Sequence, residues 1–142
     1  MLKVEKFHGI DNPLFESCKK IRDVVFIHEQ NVPVEIEQDG LDDKAKHILV
    51  LKDGKAVATA RFRLVKDSYK LERFAVLIAE RGKGFGKIVL EAIIDSVKND
   101  NKNIFLYSQD IAVEFYKKNG FVIDGEKFME AGIVHYPMRY VQ

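Results

Sequence analysis

A chain of 142 residues can bury one real hydrophobic core, and 46% hydrophobic with 32% charged residues excludes a disordered polymer. Lys plus Arg (23) against Asp plus Glu (22) gives no electrostatic reason to expect nucleic acid or an anionic membrane as partner. No apolar run is membrane-length, "MLKVEKFHGI" lacks a signal-peptide h-region, and the single cysteine, Cys18, has no internal partner; a reducing cytoplasm is the expected compartment, with no structural metal.

There is no repeat, low-complexity segment or linker, so residues 1–142 read as a single domain. "LKVEKFH" alternates as a strand does. Asn12 and Pro13 then open a helix, with Leu14, Cys18, Ile21 and Val25 on one buried stripe, ending near Glu29. Cys18 is expected to be inert packing. "NVPVE" is expected to be extended around Pro33. "EIEQDGLDD" reads as a solvated acidic connection, which would suit a cationic acceptor if it bordered a pocket; its spacing is not that of a calcium loop. "KHILVLKDGKAVATARFRLV" is a hairpin turning at Asp53-Gly54. "YKLERFAVLI" is a strand, and a helix with Leu90, Ile93, Ile94 and Val97 on one face follows it. "NIFLYS" is a strand and "DIAVEFYKKNG" a short helix, with Asp110 at its N-cap and Gly120 beyond its end. "FVIDGEKFM" and "IVHYPMRYV" close the chain as two antiparallel strands. The mixture predicts an α+β (mixed α/β) domain around one mostly antiparallel, twisted sheet flanked by helices.

Between strand and helix lies "ERGKGFGK", with glycines at 82, 84 and 86. Glycine tolerates positive φ and lets a ligand approach the backbone, and a helix N-terminus adds aligned N–H groups. Arg81, Lys83 and Lys87 add positive charge, so a phosphate or pyrophosphate fits, although a plain strand-to-helix turn would show the same glycines. A Walker loop is excluded because Ile88 follows Lys87, and the dinucleotide fingerprint because G-x-G-x-G stands where G-x-G-x-x-G is needed.

R-G-x-G-x-G after "ERFAV", with Ala112, Phe115, Tyr116, Gly120 and Phe121 spaced A-x-x-F-Y-x-x-x-G-F downstream, resembles the GNAT superfamily, the Gcn5-related N-acetyltransferases. The resemblance runs from about Leu2 to Tyr140. "RDVVFIHEQNVPVEIEQDGLDDKAKH" and "GIVHYPM" are similar to its ElaA-type branch. The resemblance implies an acyl-CoA site. Phe74, Ala75 and Val76 would pair with the pantetheine arm in a splay beside "NIFLYS". The amides of Arg81, Gly82, Lys83, Gly84, Phe85 and Gly86 would hold the pyrophosphate, with Lys87, Ser108, Ala112, Phe115 and Tyr116 around the donor.

Acyl transfer from a thioester to an amine has three demands. The amine must be neutral, which for a lysine-like pKa near 10.4 costs roughly 4–5 kcal/mol at pH 7. The thioester oxygen needs a donor, for which the Val76 N–H serves if the strand bulges there. The departing thiolate needs a proton, and Tyr116 stands where the family places its tyrosine acid; an ordinary core tyrosine of an amphipathic helix is its alternative. Glu72 is one candidate base. It shares strand parity with Phe74 and Val76, although relatives with a base glutamate carry it two residues earlier, where this chain has Lys70. A structural partnership with Arg61, Arg63 or Arg73 explains Glu72 equally well. His135 is the other candidate, since imidazole titrates near neutrality; a structural histidine remains its alternative, and His47 reads similarly. Glu29, Arg61 and His135 are the candidate acceptor contacts.

The expected reaction is acetyl transfer from acetyl-CoA to an unidentified primary amine, without a metal, in a monomer or homodimer. An acyl-homoserine-lactone-synthase-like acyltransferase shares Arg22, Phe26, Asp42, Asp43 and the "ERFAV" strand, but this chain is short for one and has no tryptophan. A non-catalytic acyl-CoA-binding protein is the third reading.

Overall fold

The computed structural model describes residues 1–141. Strand β1 (Leu2–His8) leads into α1 (Phe15–Arg22), whose axis continues π-helically over Asp23–Glu29, and then into the single turn α2 (Val34–Glu37). Next come β2 (Lys46–Lys52), β3 (Lys55–Val65), β4 (Ser68–Val76), α3 (Phe85–Val97), β5 (Asn103–Gln109), α4 (Val113–Lys118), β6 (Phe121–Ile123), β7 (Phe128–Glu130) and β8 (Ile133–Tyr140). The strands form one sheet in the order β1-β2-β3-β4-β5-β8-β6, with β7 also on β8. Among the described residues only β4–β5 is parallel, and α3 is its crossover.

Most sequence expectations hold. Asn12 caps the helix entry, its side-chain oxygen accepting from Leu14 N–H at 2.9 Å. Asp53 and Gly54 both adopt positive φ (51° and 81°), as the expected hairpin turn requires. Cys18, Ile21 and Val25 are buried under one face of the sheet, against Leu49 and Ala75. Val89, Leu90, Ile93 and Val97 of α3 are buried on the other, among Ile48, Ala58, Phe62 and Leu106.

Three expectations about element boundaries change. Pro33 is extended (φ −57°, ψ 140°), but Val34–Glu37 closes a helical turn rather than staying extended, with Glu37 N–H donating to Pro33 O at 3.1 Å. Asp110 makes no side-chain cap; a 3-10 turn over Asp110–Ala112 leads into α4 instead. The penultimate strand is divided, β6 and β7 lying on β8 opposite Met138–Tyr140 and Ile133–His135.

The decisive irregularity is in β4. Arg61 opposes Glu72, but Thr59 opposes Ala75, so Ala60 faces both Arg73 and Phe74. Arg73 takes φ +60° to accommodate this bulge. An extra residue reverses the facing of side chains beyond it. Phe74 and Val76 therefore pack on the α3 side, while Glu72 lies with Arg61 on the α1 side. The expected shared parity of Glu72 with Phe74 and Val76 is broken by the bulge.

Candidate active site

Pairing of β4 with β5 stops at Leu71–Leu106. Beyond it β4 stays with β3, through Thr59–Ala75 and Ala58–Val76, while β5 stays with β8 through Tyr107–Pro137, Ser108–Tyr136 and Gln109–His135. The result is a gap through the sheet, inside a cleft of about 960 Å³. Leu77 N–H donates to Val57 O at 3.1 Å, so strand alternation turns the Val76 N–H away from β3 and toward the gap. The bulge lies at Arg73–Phe74, however, and not at Val76 as expected.

On the α3 side the cleft is lined by Phe74, Val76, Ser108, Ala112, Phe115 and Tyr116, and it runs to the glycine loop. Gly82 and Gly84 take φ +78° and +86°, and a Cβ on either would meet nothing within 4 Å. They hold backbone in a left-handed form around open space, which suits a phosphate cradle at the start of α3. Gly86 has a different task, since its Cβ would stand 3.4 Å from Phe115 Cζ, so it lets α3 and α4 approach. Phe85 is buried beneath the loop, Lys87 lines the cleft, and Lys83 stands outside the lining, 3.2 Å from Glu80. Tyr116 is edge-on to Phe74 at 5.6 Å and makes no hydrogen bond among the described residues. Burial pushes its phenol well above the ordinary value, so it stays protonated at neutral pH. Ser108 spends its hydroxyl on Gln109 O at 2.8 Å.

On the α1 side, His135 is buried beside the end of β5, its Nδ1 2.8 Å from Ile133 O. A carbonyl only accepts, so Nδ1 carries the proton and Nε2 of the neutral ring is left basic. Glu29 and Gln30 reach over the gap to both lips. Arg81 Nη1 and Nη2 donate to the Glu29 carboxylate, each at 2.7 Å, and Gln109 Nε2 donates to Gln30 Oε1 at 2.8 Å. The guanidinium holds the Glu29 carboxyl below its ordinary value.

The remaining candidates are held in ion pairs or in packing. Arg61 does not line the cleft. It is fully buried and donates to Asp39 (2.6 and 3.0 Å), Asp42 (2.9 Å) and Glu72 (3.1 and 3.2 Å). Buried Arg22 binds Glu37 and Asp42, and Arg73 binds Glu37 and Asp39. The acidic stretch is a solvated connection only in part: Glu35, Asp39 and Asp43 are exposed, but Glu37 is buried, and Glu37, Asp39 and Asp42 are paired with arginines. Glu72 lines the cleft but is gripped by Arg61, Arg63 and Lys70. Burial alone would raise its pKa, yet those cations outweigh it and hold it low, which makes Glu72 a poor base. His47 lies under β1 and α1, between Phe7 and Phe15, away from the cleft. Cys18 is inaccessible, its thiol pushed up to about 11 by burial, as inert packing requires.

A family model of the acetyltransferase (GNAT) domain matches residues 16–142. This chain belongs to the GNAT acetyltransferase family. It is therefore an acyltransferase. YjcF of Bacillus subtilis, named as an uncharacterized N-acetyltransferase, is 42% identical over 121 residues, 83% of this chain and 86% of YjcF. Escherichia coli ElaA is 30% identical over 125 residues, covering 84% and 82%. The ElaA crystal structure superposes with TM-score 0.87 over 99% of this chain and all of that one, at 26% identity. An acyl-CoA N-acyltransferase from Pseudomonas aeruginosa gives 0.88 at 26% identity over 99% and 100%.

Sequence reasoning missed Gln30, Gln109, Lys70 and Tyr107 as cleft residues. Tyr107 and Gln109 were findable: Ile104, Leu106 and Ser108 set the buried parity of β5, so its odd positions face the other way.

Proposed function

We propose that this chain transfers an acetyl group from acetyl-CoA to a primary amine by direct attack on the thioester. The observation that carries this reading is the gap beyond Leu71–Leu106, with the Gly82–Gly84 cradle at its α3-side end. The pantetheine arm takes the place of the missing strand partner along Phe74–Val76, and the pyrophosphate sits on the loop amides. The donor enters from the α3 face and the acceptor from the α1 face, meeting where the sheet is open.

His135 Nε2 takes a proton from the acceptor ammonium, directly or through water, leaving a nitrogen lone pair. Nitrogen attacks the thioester carbon, and the Val76 N–H donates to the carbonyl oxygen as charge develops there. The tetrahedral species collapses by breaking the C–S bond. Nitrogen loses its second proton as sulfur gains one, so acetamide and free thiol form in balance. Tyr116 supplies the hydrogen to sulfur. Burial makes a free tyrosinate unfavourable, so its donation is coupled to the proton leaving nitrogen.

An assay of thiol release from acetyl-CoA across a panel of primary amines tests the reading, with Tyr116→Phe and His135→Gln alongside. Amine-dependent thiol release that falls in both variants supports it. Saturable acetyl-CoA binding with no transfer to any amine would favour a binding protein.

A further inference from the structure

The charged network beneath the cleft does not neutralise itself. Among the described residues, Arg22, Arg61, Arg63, Arg73 and Lys70 are linked by contacts of 2.6–3.4 Å to only Glu37, Asp39, Asp42 and Glu72. Four of those cations are guanidinium groups held by hydrogen bonds to the carboxylates. Lys70 is different. Its ammonium stands 3.4 Å from Glu72 Oε2 without hydrogen-bond geometry and 4.5 Å over the Tyr107 ring. Among the described residues it makes no hydrogen bond, so three N–H donors are unspent. Lys70, Arg63 and Tyr107 all line the cleft, on the α1 side of the gap. The side chains of Lys70 and Arg63 keep 18% and 19% of their exposure, enough for a ligand to reach them.

We infer that Lys70, with Arg63 and the Tyr107 ring, forms an acceptor subsite for an anionic group, so that the acceptor is an amine that also carries a carboxylate or phosphate. The inference rests on the acetyltransferase reading above and supplies its substrate class. A row of contacts leads from this subsite to the candidate base: Tyr107 packs on Phe128 at 5.1 Å, and Phe128 stacks on His135 at 5.8 Å. Glu130 stands beyond, 3.9 Å from His135 Nε2, so the base end of the row is acidic and the Lys70 end cationic. An amine-bearing anion matches that polarity; a polyamine would set one of its ammonium groups against Lys70. Lys70 lies opposite Arg63 and Phe74 opposite Ala60, three strand steps or ~10 Å at about 3.3 Å each, so amine and anion must be several bonds apart.

The test uses the whole protein saturated with CoA, which removes the phosphate cradle from competition. Inorganic phosphate is titrated while the Lys70 ammonium and Tyr107 ring resonances are followed by NMR. The expected result is a saturable shift of both, weakened about tenfold or more in Lys70→Met, whose CoA affinity is unchanged. Absence of a saturable shift in the wild type, or equal phosphate affinity in Lys70→Met, overturns the subsite. In a second arm, amino acids and small aminoalkyl phosphates are compared as acceptors with their neutral amide or alcohol counterparts. Faster transfer to the anionic members supports the inference, and faster transfer to the neutral members overturns it. If no amine is acetylated, the phosphate titration decides alone. Failure of the wild type to bind CoA would instead contradict the acetyltransferase reading.

Discussion

Arg81 is bound to Glu29 through two 2.7 Å hydrogen bonds, while its Nε donates to Val76 O at 2.9 Å. One side chain thus ties the end of the π-helical stretch to the strand end beside the gap. The guanidinium also belongs to the loop proposed to hold a pyrophosphate, and a carboxylate and a phosphate compete for the same fork of donors.

Glu29→Gln should therefore tighten CoA binding several-fold, because Arg81 is released to the phosphate. Calorimetric titration of the variant against wild type measures this. In an Arg81→Gln background the same substitution should give no gain through Arg81, so the two effects should not add. Weaker CoA binding in Glu29→Gln would mean that the pair positions Arg81 for the donor instead.

The glycines should separate by role. Gly84→Val places a β-branched side chain at φ +86° in the space kept for a ligand, and should lose CoA binding. Gly86→Ala has ordinary φ and meets Phe115 Cζ at 3.4 Å, so it should fold, bind CoA and shift Phe115 slightly. CoA affinities of the two folded variants check the distinction.

Arg61→Met should destabilise the fold by about 3–5 kcal/mol, since it leaves Asp39, Asp42 and Glu72 short of a buried partner. Urea denaturation monitored by circular dichroism measures it. A stable variant with an altered acceptor KM alone would restore Arg61 to the substrate contacts.

The same network sets an acid limit. Burial opposes ionisation of Asp39, but Arg61, the Leu41 N–H and Arg73 overcome it and hold its pKa at about 2, against an ordinary 3.8. Asp42 and Glu72 are likewise held low. A carboxylate with a depressed folded-state pKa contributes its full stability above its unfolded value. Unfolding midpoints should stay flat down to the ordinary carboxylate range, then fall as the pH drops toward 2. Arg61→Met should flatten that acid step.

Much of the fold was legible because local chemistry dictates it. Asp53-Gly54 fixes one hairpin, the Leu90–Val97 spacing fixes α3, and the glycine loop announces itself. The bulge at Arg73 was not legible. It arises from a mismatch between β3 and β4, and no residue type at positions 72–75 forces it. That single extra residue moved Glu72 to the face opposite Phe74. The pairing of the acidic stretch was not legible for a related reason. Its arginine partners, Arg22, Arg61 and Arg73, lie 15 to 37 positions away and are brought to it only by the folded sheet. The donor side was readable as a motif, whereas the acceptor side is assembled from several separate elements.

The most direct test of the central claim is calorimetric titration of the protein with acetyl-CoA, with ATP and NAD as controls and Gly84→Val as the blocked site. The account predicts one-to-one binding of acetyl-CoA, little heat from either control, and loss of binding in a folded Gly84→Val. Equal affinity in wild type and variant, or no binding to wild type, would contradict it.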